Sequence, residues 1–177
     1  PLMIAARHSK SPAVVEALVN GKANLEARCR YGRTPLIWAA QSLESPAIVE
    51  ALVKGKGNLE ATDKDGATPL IWAAQYSESP AVVEALVNGK ANLEATDSVR
   101  HLEDKPVCTV CAHRPHVCKS KDGKTPLLWA AACSKSPGVV EALLNGKANV
   151  EAADPVRYSE DKPACAFHAH CPRVWSL

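Results

Sequence analysis

The sequence predicts an all-α repeat solenoid: stacked helix-turn-helix units joined by hairpin-like loops, with one long loop insert and an irregular C-terminal tail. Three observations predict it. The stretch 68–95, TPLIWAAQYSESPAVVEALVNGKANLEA, returns almost unchanged at 34–61 and with changes at 125–152, and another copy is entered midway at Pro1-Leu2. The landmark prolines Pro1, Pro35, Pro69 and Pro126 stand 34, 34 and 57 residues apart, and 57 is one period of 34 plus an insert of 23. Each copy also holds two separate helix signatures followed by a polar turn. A fixed period near 34 marks a stacked array, because each unit can bury its apolar face only against its neighbours.

Within a copy the elements follow in order. Thr34, Thr68 and Thr125 each precede a proline, which suits an N-cap oxygen followed by a residue that needs no amide partner. The first helix, Leu70 to Ala74 in the copy 68–95, is apolar all round and so is expected to be flanked on both sides. Ser79-Pro80 repeats the cap-and-proline device and opens a second helix. Its Val82, Val83, Leu86 and Val87 share one buried face. Asn88-Gly89 ends that helix, with the glycine expected in the left-handed conformation that commonly closes helices. The polar stretch that follows ends in Asp-Gly, a hairpin-type turn signal.

Three segments of this copy resemble the ankyrin repeat family. They are Gly66-Ala67-Thr68-Pro69-Leu70-Ile71-Trp72-Ala73-Ala74, Val82-Val83-Glu84-Ala85-Leu86-Val87 and Lys90-Ala91-Asn92-Leu93-Glu94-Ala95. The corresponding family words are GxTPLHxAA, VVxxLL and GANVxA. The resemblance spans 1–153 apart from the insert, as a partial repeat 1–33 and repeats 34–67, 68–97 and 121–153. Met3, Ile37, Ile71 and Leu128 stand where the family has histidine, so that side chain's hydrogen bonds must be supplied otherwise or lost. The resemblance implies a module that binds an unidentified protein partner through fingertip loops and first-helix ends. On that basis the expected contact residues are Arg30, Tyr31, Arg33, Leu43, Glu44, Asp63, Lys64, Asp65, Tyr76, Glu78 and Lys135.

Composition narrows the alternatives. A net charge of +2 is too mild to argue for nucleic acid or a membrane surface, so neither is expected as a partner, and the array is expected to be monomeric. No apolar run approaches the length of a membrane span. The chain opens at Pro1 inside a repeat word, which reads as a piece of a longer product. The seven cysteines form no evenly spaced framework, which favours a reducing, intracellular and cytoplasmic setting. Glu16, Glu50, Glu84 and Glu141 recur once per repeat and read as surface charges. With no nucleophile-base pair and no glycine-rich phosphate loop, the expectation is a protein that is not an enzyme.

Two surface features carry competing readings. Arg7, His8 and Lys10, with Arg28, Arg30 and Arg33, are either a solvated edge or a basic recognition patch. Trp38, Trp72 and Trp129, at one position in successive repeats, are expected to form a ladder of packed rings, or else an aromatic floor for a partner. The end repeats present apolar faces, Leu2, Met3, Ile4, Val14, Val15 and Leu18 at one end and Leu127, Leu128, Val139, Val140, Leu143 and Leu144 at the other.

The insert 98–120 interrupts the hairpin loop after Asp97, and the tail 154–177 repeats its opening at an offset of 57. The insert holds Cys108, Cys111, His113, His116 and Cys118, and the tail Cys165, His168, His170 and Cys171. Zinc accepts both thiolate and imidazole, and a Cys-x2-Cys pair can supply two of its four ligands. The second reading of the chain is therefore a zinc-binding or redox-sensitive finger on a repeat scaffold. Against it, the spacings match no standard zinc module, and neither segment carries a hydrophobic core. No cofactor is expected otherwise.

Overall fold

The computed structural model describes residues 1–9, 11–41, 46–97 and 123–151. These form eight helices: α1 (Leu2–His8), α2 (Pro12–Asn20), α3 (Pro35–Gln41), α4 (Pro46–Lys54), α5 (Pro69–Tyr76), α6 (Pro80–Asn88), α7 (Pro126–Cys133) and α8 (Pro137–Asn145). Every helix after α1 opens on a proline, whose missing N–H would have had no partner in the first turn anyway. The threonine caps are formed: Thr34, Thr68 and Thr125 accept from the amides of Ile37, Ile71 and Leu128, each at 3.4 Å. The serine caps are a correction. Ser79 has cap geometry but makes no side-chain cap bond. Instead Ser77 Oγ accepts from the Ser79 amide and donates to the Ser79 carbonyl, both at 3.2 Å, and Ser9–Ser11 and Ser134–Ser136 repeat the arrangement. One hydroxyl placed before the turn holds the turn itself.

The helices stack in two layers. α1, α3, α5 and α7 pack side by side in chain order, and α2, α4, α6 and α8 form the second layer against them. The first-layer helices are short and rich in alanine, so neighbours approach closely; in α5 every residue from Pro69 to Ala74 is buried. The second layer buries one stripe, with Val82, Val83 and Leu86 at 0% exposure while Glu16, Glu50, Glu84 and Glu141 face outward. Of the apolar residues at the ends, Leu2, Val15, Val139 and Leu143 are buried against the adjoining repeat. Ile4, Val14 and Leu144 remain exposed.

The helix-ending glycines are the second correction. Gly89 is right-handed, at φ −69°, and Lys90 takes the left-handed residue at φ 69°. Lys22, Lys56 and Lys147 do the same in the other copies. Glycine is needed here for space: a Cβ on Gly89 would lie 2.8 Å from Val53 Cγ1 of the preceding repeat, and one on Gly55 would lie 2.6 Å from Val19 Cγ1.

Between helix pairs the chain turns back on itself in hairpins. The Asp63 amide donates to the Ala67 carbonyl at 3.1 Å, and Gly66, at φ 78°, closes the tip. Neighbouring hairpins are joined where the Lys64 amide donates to the Tyr31 carbonyl at 3.1 Å. On the loop that follows each second helix, Glu26, Glu60 and Glu94 each accept from an asparagine amide of the next repeat, Asn58, Asn92 and Asn149, all at 2.8 Å.

The last of these bonds spans 55 residues, so repeat four stacks on repeat three across the insert. The hairpin closes in the same way, with the Lys124 amide donating to Asp97 Oδ1 at 2.6 Å. Deleting 98–120 leaves Asp97 joined to Lys121-Asp122-Gly123, the same turn sequence as Asp63-Lys64-Asp65-Gly66. That shorter loop is expected to stabilise the array by about 1.7 kcal/mol of closure entropy. The measurement is the urea midpoint, and a lower midpoint than the parent's would show that the insert supports the fold.

Candidate functional site

At the base of each hairpin one side chain ties the turn to the first helix of the repeat that follows. Asp63 Oδ1 accepts from the amides of Asp65 and Ala67 at 2.9 and 3.0 Å, while Oδ2 accepts from Trp72 Nε1 at 2.9 Å. The Asp97 carboxylate does the same for Lys124 and for Trp129 Nε1, the latter at 3.2 Å. These bonds connect hairpin and helix where the family's histidine is missing. Asp63 is thus a structural group with its side chain 1% exposed, and it presents no surface to a partner. That corrects its place among the expected contact residues.

Cys29 occupies the same position in the first copy. Its Sγ accepts from the Tyr31 amide at 3.4 Å. Burial pushes the thiol's pKa up, but the Tyr31 and Arg33 amides, the Trp38 indole and the Arg33 charge together outweigh it and hold the pKa below its ordinary value. Asp97 shifts the other way: desolvation raises it above the ordinary carboxylate value, against the Lys124 amide and the Trp129 indole. For an acid so raised, the stabilisation is full below the ordinary value and is lost as pH rises through the folded-state value.

The tryptophans do not pack ring on ring along the stack; among the described residues the one stacked pair is Trp72 with Tyr76 of its own helix, 5.0 Å between centroids. A guanidinium fills the interval between Trp38 and Trp72. Arg33 lies 4.9 Å from the Trp38 ring and 3.9 Å from the Trp72 ring, so one cation joins two repeats. Its Nε is 3.7 Å from Asp63 Oδ2 and buried without a hydrogen-bond partner, while an Nη donates to Gln41 at 3.2 Å. Arg33 is therefore largely a packing residue. Arg7 covers the Trp38 ring at 4.5 Å, and Arg30 lies 4.7 Å from the Tyr31 ring, with an Nη 2.6 Å from its hydroxyl. Trp72 and Trp129 are buried and Trp38 is half-buried, which places these rings in the packing.

The other expected contact residues fall into two places. Arg30 and Tyr31, with Lys64 and Asp65, are exposed at adjacent hairpin tips. Tyr76, Glu78 and Lys135 meet at a cleft of about 190 Å³ between the ends of α5 and α7, completed by Gln75, Ser77, Cys133 and Ser134. Lys135 Nζ lies 3.5 Å from Glu78 across its mouth, and an exposed pair of this kind contributes little to stability. Leu43 and Glu44 lie outside the described residues, as do all nine cysteine and histidine candidates of the insert and tail.

Two structural contributors were missing from the reading of the sequence. The Glu26, Glu60 and Glu94 staples were visible only as a glutamate returning once per repeat. The role of Arg7 depended on Trp38, 31 positions further along the chain.

Helix pairs stacked in two layers and joined by one hairpin per repeat define a helical repeat protein. A family model described as "Ankyrin repeats (3 copies)" matches residues 2–97, and a second, "Ankyrin repeat", matches 122–155. The chain belongs to the ankyrin repeat family. A search of curated proteins found no match. Among the described residues no helix is long and apolar enough to cross a membrane.

Proposed function

We propose that this array is a protein-interaction module that holds a partner against its hairpin tips and first-helix ends. Ankyrin repeats are generally protein–protein interaction modules. The observation that carries the finer reading is where the copies differ. Tyr76, Glu78, Cys133 and Lys135 vary between copies and line one cleft, while the words common to the copies are spent on caps, core and staples. A surface free to vary while its support stays constant is suited to recognition. Aromatic and arginine side chains, which dominate binding hot spots, stand in this cleft at Tyr76 and at the first hairpin tip at Tyr31 and Arg30.

The test is selection of displayed random peptides on the array, counter-screened against a variant with alanine at Tyr31, Leu43 and Tyr76. Peptides recovered on the parent are expected to bind the variant at least about tenfold more weakly, since each aromatic anchor contributes on the order of 1–2 kcal/mol. Equal recovery on both proteins, with the variant's melting curve showing it folded, would remove this surface from consideration.

A further inference from the structure

Charge is distributed unevenly along the array. Residues 1–33 carry six Lys and Arg against two Asp and Glu, a net +4, whereas residues 34–97 carry four against nine, a net −5. The structure draws three of these six cations, Arg7, Arg30 and Arg33, into one surface. Arg7 lies on Trp38, Arg33 lies between Trp38 and Tyr31, at 4.9 and 5.7 Å, and Arg30 lies on Tyr31. Three guanidiniums thus follow one another across two aromatic rings. Arg33 is answered by Asp63, its Nε 3.7 Å from Oδ2, so among the described residues the cations of this surface with no carboxylate partner are Arg7 and Arg30.

We infer that the surface running from Arg7 over Trp38 and Arg33 to Tyr31 and Arg30 docks an acidic peptide segment of the partner. The inference rests on the interaction-module reading above. Arg7 and Arg30, with no counter-charge among the described residues, leave a positive potential that an anionic ligand relieves. Arg7 and Arg30 are exposed, and contact with the ring faces restricts their rotamers before any ligand arrives, so less side-chain entropy is lost on binding. The guanidinium forks match carboxylates in paired geometry. The alternative anion, a nucleic acid, fits less well. The ring faces that would stack bases already carry arginines, and a strand longer than the basic end would run onto acidic repeats. A peptide can be acidic where it meets the first repeat and neutral or basic beyond it.

The test measures fluorescence anisotropy with three labelled probes: an octapeptide of alternating glutamate and alanine, its lysine-alanine counterpart, and octathymidylate. The glutamate probe is expected to bind saturably, and to weaken about tenfold or more between about 50 and about 500 mM salt as screening lengths shrink. The Arg7→Gln/Arg30→Gln variant is expected to bind it at least about tenfold more weakly while remaining folded, its melting curve lowered only slightly by the lost ring contacts. The lysine probe should not bind. Failure of the glutamate probe to bind, binding that the double substitution or salt leaves unchanged, or octathymidylate binding as tightly would each overturn the inference. The salt series uses the unaltered protein, so it decides the matter even if the variant folds poorly. Peptides selected in the display experiment that are not acidic, or that ignore the double substitution, would sink this inference while leaving the module standing. No selected peptides at all would remove the module as well.

Discussion

Replacing Asp63 by alanine is expected to destabilise the array by about 3–5 kcal/mol, the cost of removing one partner from a buried charge pair. The carboxylate accepts from Trp72 Nε1 and from the amides of Asp65 and Ala67, and it is the counter-charge nearest Arg33. Alanine leaves the buried Trp72 indole N–H unpaired, frees the hairpin tip and strands a mostly buried guanidinium. Each loss falls on a different element, namely α5, the turn and the contact between repeats one and two. A local defect should therefore weaken the stack as a whole. The neighbouring Asp65→Ala is the control, because Asp65 is exposed and should shift stability by less than about 0.5 kcal/mol. Urea unfolding followed by tryptophan fluorescence makes the comparison. A difference between the two variants below about 1 kcal/mol would show that the carboxylate does not anchor the hairpin.

The second effect is expected at Gly89. An alanine there keeps an allowed right-handed backbone, but its methyl would sit 2.8 Å from Val53 Cγ1 and 3.2 Å from Leu59 Cδ1. Overpacking of this kind costs about 1–3 kcal/mol, and here it acts by prising repeat three away from repeat two. Gly21 provides an internal control. It holds the same place in repeat one, yet a Cβ there meets only carbonyls of its own helix, at 3.2 and 3.5 Å. Gly21→Ala is therefore expected to be nearly neutral, within about 0.5 kcal/mol. Lys90→Gly should move stability the other way, by about 1 kcal/mol, because it relieves a left-handed non-glycine residue at φ 69°. Equal losses at Gly21 and Gly89, read from thermal or urea midpoints, would mean that helix termination rather than the contact between repeats sets the glycine requirement.

How far the site was legible follows from the same residues. The exposed tips could be placed because Asp65-Gly66 marks the turn and the repeat carries it to Tyr31-Gly32 in the first copy. Tyr76, Glu78 and Lys135 could be named as variable positions. That they line one cleft depended on α5 and α7 lying side by side, although their sequences are separated by the insert. Asp63 was misplaced for a physical reason. In a run of three polar turn residues, nothing local distinguishes the carboxylate that turns in to meet an indole from the two side chains that stay in water.

What the sequence determined by itself is the periodic part: helix pairs, their threonine caps, the proline starts, the buried stripe and the family. Those depend on interactions within a few residues of each other, and repetition makes each signal appear several times. The tertiary structure decided everything that joins one copy to the next. It placed Arg33 of the first hairpin between tryptophans of the second and third repeats. It made Gly89 a matter of clearance from Val53, and it aimed each loop glutamate at the asparagine amide of the following repeat. Most of these contacts bridge residues one period or more apart, and their geometry exists only once neighbouring repeats have stacked.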